Sequence, residues 1–172
     1  MKIKLSFFRY LAYALEILIF CVLQDTPKLM PEIFGAKPLL LAALALSIAA
    51  FENKIPSLVF GALCGIFADS LTGEAIGYFA ILLTLICYFE AHIFEKYFVS
   101  KFLSVFVFAF LSTAVLICGY FLIFTVFSGV DGALTLFVNH YISRILYTAL
   151  MFIPIYFLNR FLYRRLNKSN RL

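Results

Sequence analysis

The stretch GALCGIFADSLTGEAIG, residues 61–77, carries a small or acidic residue at every fourth position. On a helix, residues four apart share one face. A Gly-x-x-x-Gly pair lets a second helix approach closely in lipid, where packing rather than water drives association. We interpret the first two glycines as a helix-packing face, directed either at this chain or at another protein, and the third glycine as the helix end or turn. The positions are Gly61, Gly65, Asp69, Gly73 and Gly77.

Composition sets the class of protein. Of 172 residues, 65% are hydrophobic and 13% are charged, with a mean hydropathy of +1.04. Soluble domains are about 45–50% apolar and about 25% charged. A soluble fold of this size could not bury so much apolar surface, which excludes a soluble enzyme, a disordered chain and a secreted disulfide scaffold. The composition predicts an all-α membrane protein.

Six apolar segments predict a compact bundle of about six transmembrane helices, forming one integral membrane domain over residues 1–172. A helical span needs about 20 residues, so only short connections remain. The second segment is short for a crossing, because a 13-residue helix rises only about 20 Å. A re-entrant hairpin at the second and third segments is therefore the alternative to full crossings. The predicted spans are 7–23, 38–51, 55–71, 75–91, 102–128 and 134–162.

The distribution of basic residues predicts the orientation. The net charge is +5, with 14 Lys and Arg. Cytoplasmic loops of membrane proteins are enriched in these residues. With the N-terminus inside, only Lys28 and Lys37 lie outside, and Arg144 lies within the last span near its outer end. Both termini are therefore expected in the cytoplasm. The inner residues are Lys2, Lys4, Arg9, Lys54, Lys96, Lys101, Arg160, Arg164, Arg165, Lys168 and Arg171.

Polar residues within the spans are the candidate interaction sites. Asp69 lies near the outer end of the third span, and an acid at that depth usually has a partner. We predict that it pairs with Arg144, which forms a polar stripe at four-residue spacing with His140 and Thr148. An ion or proton relay is the alternative, although the series of acids that a relay needs is missing.

Two further acids occur in or near the spans. Glu16 lies in the middle of the first span and is expected to face the bundle interior or a candidate cavity. Glu90 and His92 lie near the inner interface and are expected to be solvated.

Motifs for catalysis are missing from the sequence. It has no glycine-rich phosphate loop, no His-Glu-x-x-His and no Gly-x-Ser-x-Gly. The four cysteines lie singly in apolar stretches without metal-like spacing, and we interpret them as apolar fillers. We therefore predict no catalytic residue, no cofactor and no metal site. The cysteines are Cys21, Cys64, Cys87 and Cys118.

The four-residue pattern of residues 61–77 resembles the central signature of the rod shape-determining protein MreD family. The last span of that family carries an arginine, a threonine and a proline-aliphatic-tyrosine step, matched by Arg144, Thr148 and residues 154–156. The Gly35–Pro38 entry to the second span is also similar. Many members carry an acid after that proline, but Leu39 stands here, which weakens any role for an acid at this point.

The resemblance implies a non-enzymatic membrane scaffold of the bacterial cell-elongation machinery, located in the cytoplasmic membrane. Such proteins bind MreC directly and help to organise peptidoglycan synthesis. The wider complex contains MreB, RodA and a class B penicillin-binding transpeptidase, and no nucleic acid. The family is also similar in fold to the substrate-binding subunits of energy-coupling-factor vitamin transporters.

That similarity of fold supplies the main alternative, a vitamin-binding transporter subunit. Such subunits typically dock through an Ala-x-x-x-Ala motif on the first span. Here Glu16 stands four residues after Ala12, and the motif occurs instead at Ala45 and Ala49 in the second span. This difference counts against the transporter alternative.

Overall fold

The computed structural model describes residues 2–26, 36–73, 77–97, 102–127 and 133–168, and within these ranges it contains six helices. Helix α5 continues beyond its α-helical part through a π-helical turn, Phe121–Val126. Helix α6 begins as Ala133–Leu136, passes through a second π-helical turn, Phe137–Tyr141, and continues as Ile142–Lys168. The other bounds are α1 Lys2–Asp25, α2 Leu40–Ala49, α3 Lys54–Thr72, α4 Tyr78–Tyr97 and α5 from Phe102–Tyr120.

Five of the six helices are long and apolar enough to cross a membrane. The all-α bundle predicted from the sequence is thus confirmed, and the chain is a multi-pass membrane protein. The outward faces of these helices carry large apolar side chains, as lipid contact requires. The candidate spans are Phe7–Asp25, Lys54–Thr72, Tyr78–Lys96, Phe102–Val126 and Ile142–Leu166.

Successive helices alternate in direction. The Arg9 guanidinium near the start of α1 lies 5.2 Å from the ring centre of Tyr163 near the end of α6. At the same end, Lys54 Nζ at the start of α3 lies 3.3 Å from Glu95 Oε2 near the end of α4. We call this the terminal end of the bundle, because the first and last helices meet there.

Helix α2 occupies the centre of the bundle. Every residue of Leu40–Ala49 is buried, with at most 1% of any of them exposed. The helix packs against α1, α3, α4, α5 and α6. Ten residues rise only about 15 Å, half the thickness of the hydrocarbon core. The predicted second span is therefore a short internal helix surrounded by protein, whereas α3 has the length of a full crossing.

The two π-helical turns face each other. The Thr125 hydroxyl in α5 lies 2.8 Å from the Tyr141 hydroxyl in α6. The Phe121 ring packs 4.8 Å from Phe137 and 5.0 Å from Tyr141, measured between ring centres. These contacts join α5 to α6 at the end opposite the terminal end.

Candidate functional site

The carboxylate of Asp69 binds the first turn of α4. Its Oδ1 accepts a hydrogen bond from Phe79 N at 2.9 Å, and its Oδ2 accepts from Gly77 N at 3.1 Å and Ala80 N at 2.9 Å. The first amides of a helix have no partner in their own helix, and the helix dipole favours an anion there. Asp69 therefore closes the α3–α4 hairpin from the opposite helix.

The described partners of Asp69 are these backbone amides, and its predicted pairing with Arg144 stays a prediction. Both oxygens of the carboxylate are already occupied by backbone amides of α4. In addition, α3 packs chiefly against α4 and α2, whereas α6, which carries Arg144, packs chiefly against α2 and α5. The sequence indicated that this acid needs a partner, and the partner that the structure describes is a helix end, which no side-chain pattern encodes.

Gly61 and Gly65 are the contact surface of α3 with α4. A Cβ atom at Gly65 would lie 2.4 Å from Ala80 Cα and 2.6 Å from the carbonyl oxygen of Phe79. At Gly61 it would lie 3.0 Å from the Cβ of Cys87. Of the two interpretations of this pair, the structure favours packing within the chain, since the glycine face is covered by α4.

Gly73 and Gly77 form the turn of the hairpin. Both have positive φ, 68° and 99°, a conformation that glycine adopts without the steric penalty of a side chain. Gly73 N donates to the carbonyl oxygen of Asp69 at 3.1 Å and ends α3, as the sequence predicted.

An open groove of about 420 Å³ runs beside this turn on the outside of the hairpin. Ser70 and Gly73 in its wall are exposed. Because the charge of Asp69 is held by amides, the groove presents mainly small and apolar surface. Its lining residues are Ile66, Asp69, Ser70, Gly73, Gly77 and Ala80.

Two residues of the predicted polar stripe on α6 have different surroundings. Thr148 is buried, and its hydroxyl accepts a hydrogen bond from Leu39 N at 3.0 Å and donates to the Arg144 carbonyl oxygen at 2.7 Å. His140 lies in the π-helical turn, with its ring 5.5 Å from that of Tyr141. The structure thus assigns Thr148 of the predicted stripe to the start of α2.

Helix α2 is held by side chains of its neighbours along its whole length. Gln24 Oε1 on α1 accepts from Leu41 N at 3.1 Å. Asn159 Nδ2 on α6 donates to Ser47 Oγ at 3.0 Å, and both residues are fully buried. In a membrane every buried backbone group needs a protein partner. Gln24 supplies such a partner to an amide in the first turn of α2, and Asn159 pairs with the one polar side chain of the helix.

A family model for the rod shape-determining protein MreD matches residues 2–166 of the chain. That match covers nearly the whole sequence. The chain belongs to the MreD family. Membership assigns it to rod-shape determination. Comparisons with curated proteins and with solved structures give no significant match.

An ion pair at the terminal end of this MreD-family protein was not predicted from the sequence. Arg9 Nε lies 2.6 Å from Glu52 Oε1, and Arg9 Nη2 donates to Glu52 Oε2 at 2.9 Å. Tyr13 also donates its hydroxyl to Glu52 at 3.3 Å. Glu52 stands in a polar Glu-Asn-Lys sequence after α2, yet it is buried. The only sequence signal was that both partners fall on the predicted inner side.

Two acids of the MreD-family fold are buried at membrane depth. Glu16 on α1 is 8% exposed, which agrees with its predicted inward orientation, although no cavity beside it is described. Glu90 on α4 is 2% exposed, so its predicted solvation is wrong. Within the described ranges, neither carboxyl group has a hydrogen-bond partner.

Proposed function

We propose that this chain is a non-enzymatic membrane scaffold of the bacterial cell-elongation machinery, which binds MreC directly and helps to organise peptidoglycan synthesis. The observation that carries the proposal is the MreD family match over residues 2–166. MreB, RodA and a class B penicillin-binding transpeptidase then join through the wider complex, and the protein lies in the cytoplasmic membrane.

The buried central helix α2 in the described part of the bundle supports a scaffold over a vitamin-binding transporter subunit. Binding sites for small molecules are concave chambers of about 300–1,000 Å³. Here α2 occupies the centre of the bundle with all of its residues buried. The gap beside its first turn, bounded by Gln24, Thr26, Lys37, Pro38 and Leu40, has no room for a water molecule.

The open groove on the α3–α4 hairpin is the surface that we assign to the membrane span of MreC. Small residues let helices approach closely in lipid. Of the four predicted interface glycines, Gly61 and Gly65 are already covered by α4, so we assign the partner interface to Gly73 and Gly77 and add Ser70 to it. A single helix is a suitable occupant, since the groove is open and is lined mainly by small and apolar residues.

The proposed orientation places the terminal end in the cytoplasm. The described basic residues near this end include Arg9, Lys54, Arg160, Arg164 and Arg165, as the positive-inside rule requires. Fusions of a reporter that is active only in the cytoplasm should fluoresce at both the N-terminus and the C-terminus. Activity of an external reporter at either terminus would contradict the orientation.

Co-purification with MreC tests the binding proposal. Ser70→Trp fills the groove from an exposed position, and Leu111→Trp on α5 is a matched control at a residue that is 60% exposed. We expect Ser70→Trp to lose MreC while the protein still accumulates in the membrane, and Leu111→Trp to retain it. If both variants retain MreC, the interface does not lie in this groove. If the unmodified protein does not recover MreC, the scaffold function is refuted.

A further inference from the structure

The final turns of α6 present a basic groove at the terminal end. The groove encloses about 630 Å³ and is lined by Phe157, Arg160, Phe161, Arg164 and Arg165. These side chains share the outward face of the helix, whereas Tyr156 and Asn159 on the opposite face are buried in the bundle. The groove is therefore open to the surroundings of the protein.

The lining of this groove changes along α6: Phe157 lies farthest from the end of the helix, Arg160 and Phe161 follow, and Arg164 and Arg165 lie nearest to it. Phe157 and Phe161 are 50% and 56% exposed and lie toward the membrane interior. Tyr163 stacks on Phe51, at the level of the Arg9–Glu52 pair. The last two arginines of the groove follow it directly, so they lie where the bundle meets the headgroups.

The three arginines of the groove can bind an anionic ligand. Over the ranges described above, no carboxylate forms an ion pair with Arg160, Arg164 or Arg165, whereas Arg9 and Lys54 each have one. The Arg165 guanidinium lies 4.7 Å from the ring centre of Phe161, which orients it over the groove. Guanidinium groups bind phosphate through two parallel hydrogen bonds.

We propose that this groove binds the headgroup of an anionic phospholipid, with the phosphate held by the three arginines and the acyl chains lying along Phe157 and Phe161. A lipid fits better than an acidic peptide, because the apolar half of the groove lies at acyl-chain depth. Basic pockets at the cytoplasmic ends of membrane helices commonly bind such headgroups. The site is independent of the proposed MreC groove on α3 and α4.

Native mass spectrometry of the full-length protein, titrated with phosphatidylglycerol or phosphatidylcholine, tests the site. We expect retention of phosphatidylglycerol over phosphatidylcholine, with a loss of about fivefold in affinity for each arginine replaced. The variants are Arg164→Gln and the triple change Arg160→Gln, Arg164→Gln, Arg165→Gln. Lys96→Gln is the matched control, because it removes one exposed charge near the same end.

Three outcomes would overturn the proposal. Equal retention of the two lipids would exclude headgroup recognition. Equal losses in Arg164→Gln and Lys96→Gln would mean diffuse attraction rather than a site. If the triple variant keeps its lipid but loses an acidic cytoplasmic protein, the groove is a protein-docking surface. Unchanged melting temperatures would show that the variants, whose replaced side chains point outward, remain folded.

Discussion

The hydroxyl oxygen of Thr148 lies 3.0 Å from the backbone nitrogen of Leu39, so that α6 satisfies the first turn of α2 from the side. Leu39 is itself fully buried. An unpaired amide at this depth would find no water. The Thr148 hydroxyl therefore accepts the hydrogen bond that water accepts from the first amides of a solvent-exposed helix.

Thr148→Val removes this hydroxyl while keeping the shape of the side chain. We expect a loss of about 1–3 kcal/mol, the cost of a buried donor left without an acceptor. The measurement is the melting temperature of the purified protein in mild detergent. Thr84→Val is the control, since the Thr84 hydroxyl bonds only within its own helix. Equal melting temperatures for the two variants would contradict the role of Thr148.

Asp69→Asn tests the closure of the hairpin. One acceptor oxygen of Asp69 would be replaced by an NH2 group, which cannot accept a hydrogen bond from a backbone N–H of α4. We therefore expect the free energy of unfolding to fall by about 1–3 kcal/mol, and to fall further in Asp69→Ala. Ser70→Ala is the neighbouring control, because Ser70 bonds only to Ile66 of the same helix. Proteolysis at the turn would report opening of the hairpin. A stable Asp69→Ala protein would show that the three amide contacts are dispensable.

Gly65→Ala tests the close approach of α3 to α4. The added methyl would overlap backbone atoms of Ala80, which cannot rotate away. Overpacking of this kind costs about 1–3 kcal/mol or more. Gly73→Ala meets no atom but must adopt positive φ, so we expect a loss of about 1–2 kcal/mol there. Gly73→Asn should recover part of that loss, since asparagine tolerates this conformation, and no recovery would show that φ is not the cause.

The Arg9–Glu52 pair should give a pH-dependent phenotype. Burial raises the pKa of the Glu52 carboxyl group, and the Arg9 guanidinium opposes that rise. In Arg9→Gln the opposition is lost, so the pKa of Glu52 in the folded protein rises further above that of the unfolded chain than it does in the unmodified protein. The stability of Arg9→Gln should then fall as pH rises above about 4.3, the ordinary carboxyl pKa.

Melting temperatures at acidic and neutral pH measure this effect. We expect Arg9→Gln to lose about 3–5 kcal/mol at neutral pH, the cost of breaking a buried pair, and less at acidic pH. The double variant Arg9→Gln, Glu52→Gln leaves no buried charge at this pair and should be more stable than Arg9→Gln at neutral pH. A double variant that is no more stable would show that the charge of Glu52 is not the cause.

Much of this fold could be predicted because its helices correspond to regular patterns of apolar and small residues in the sequence. Apolar segments indicated the helices, and the glycines at positions 61 and 65 indicated a close helix contact. The family resemblance was confirmed by the match over residues 2–166. The uneven distribution of Lys and Arg indicated that the termini share one side, which agrees with the contact of Arg9 and Tyr163.

The partners of polar residues could not be predicted in the same way. Asp69 binds backbone amides, which every residue but proline possesses, so the side-chain pattern suggested Arg144 instead. Glu52 pairs with a residue 43 positions away, across a helix packing that the sequence does not encode locally. The full burial of α2 likewise depends on the helices around it, since its apolar composition also fits a lipid-facing span.

The complete enclosure of α2 has a consequence for biogenesis. A span with a lipid-facing side can leave the insertion machinery as soon as it is made, but α2 has no such side. Its hydrogen-bond partners Thr148 and Asn159 belong to α6, the last helix to be synthesised. The central helix therefore completes its contacts only after the last helix has entered the membrane, and a chain truncated before α6 lacks these partners.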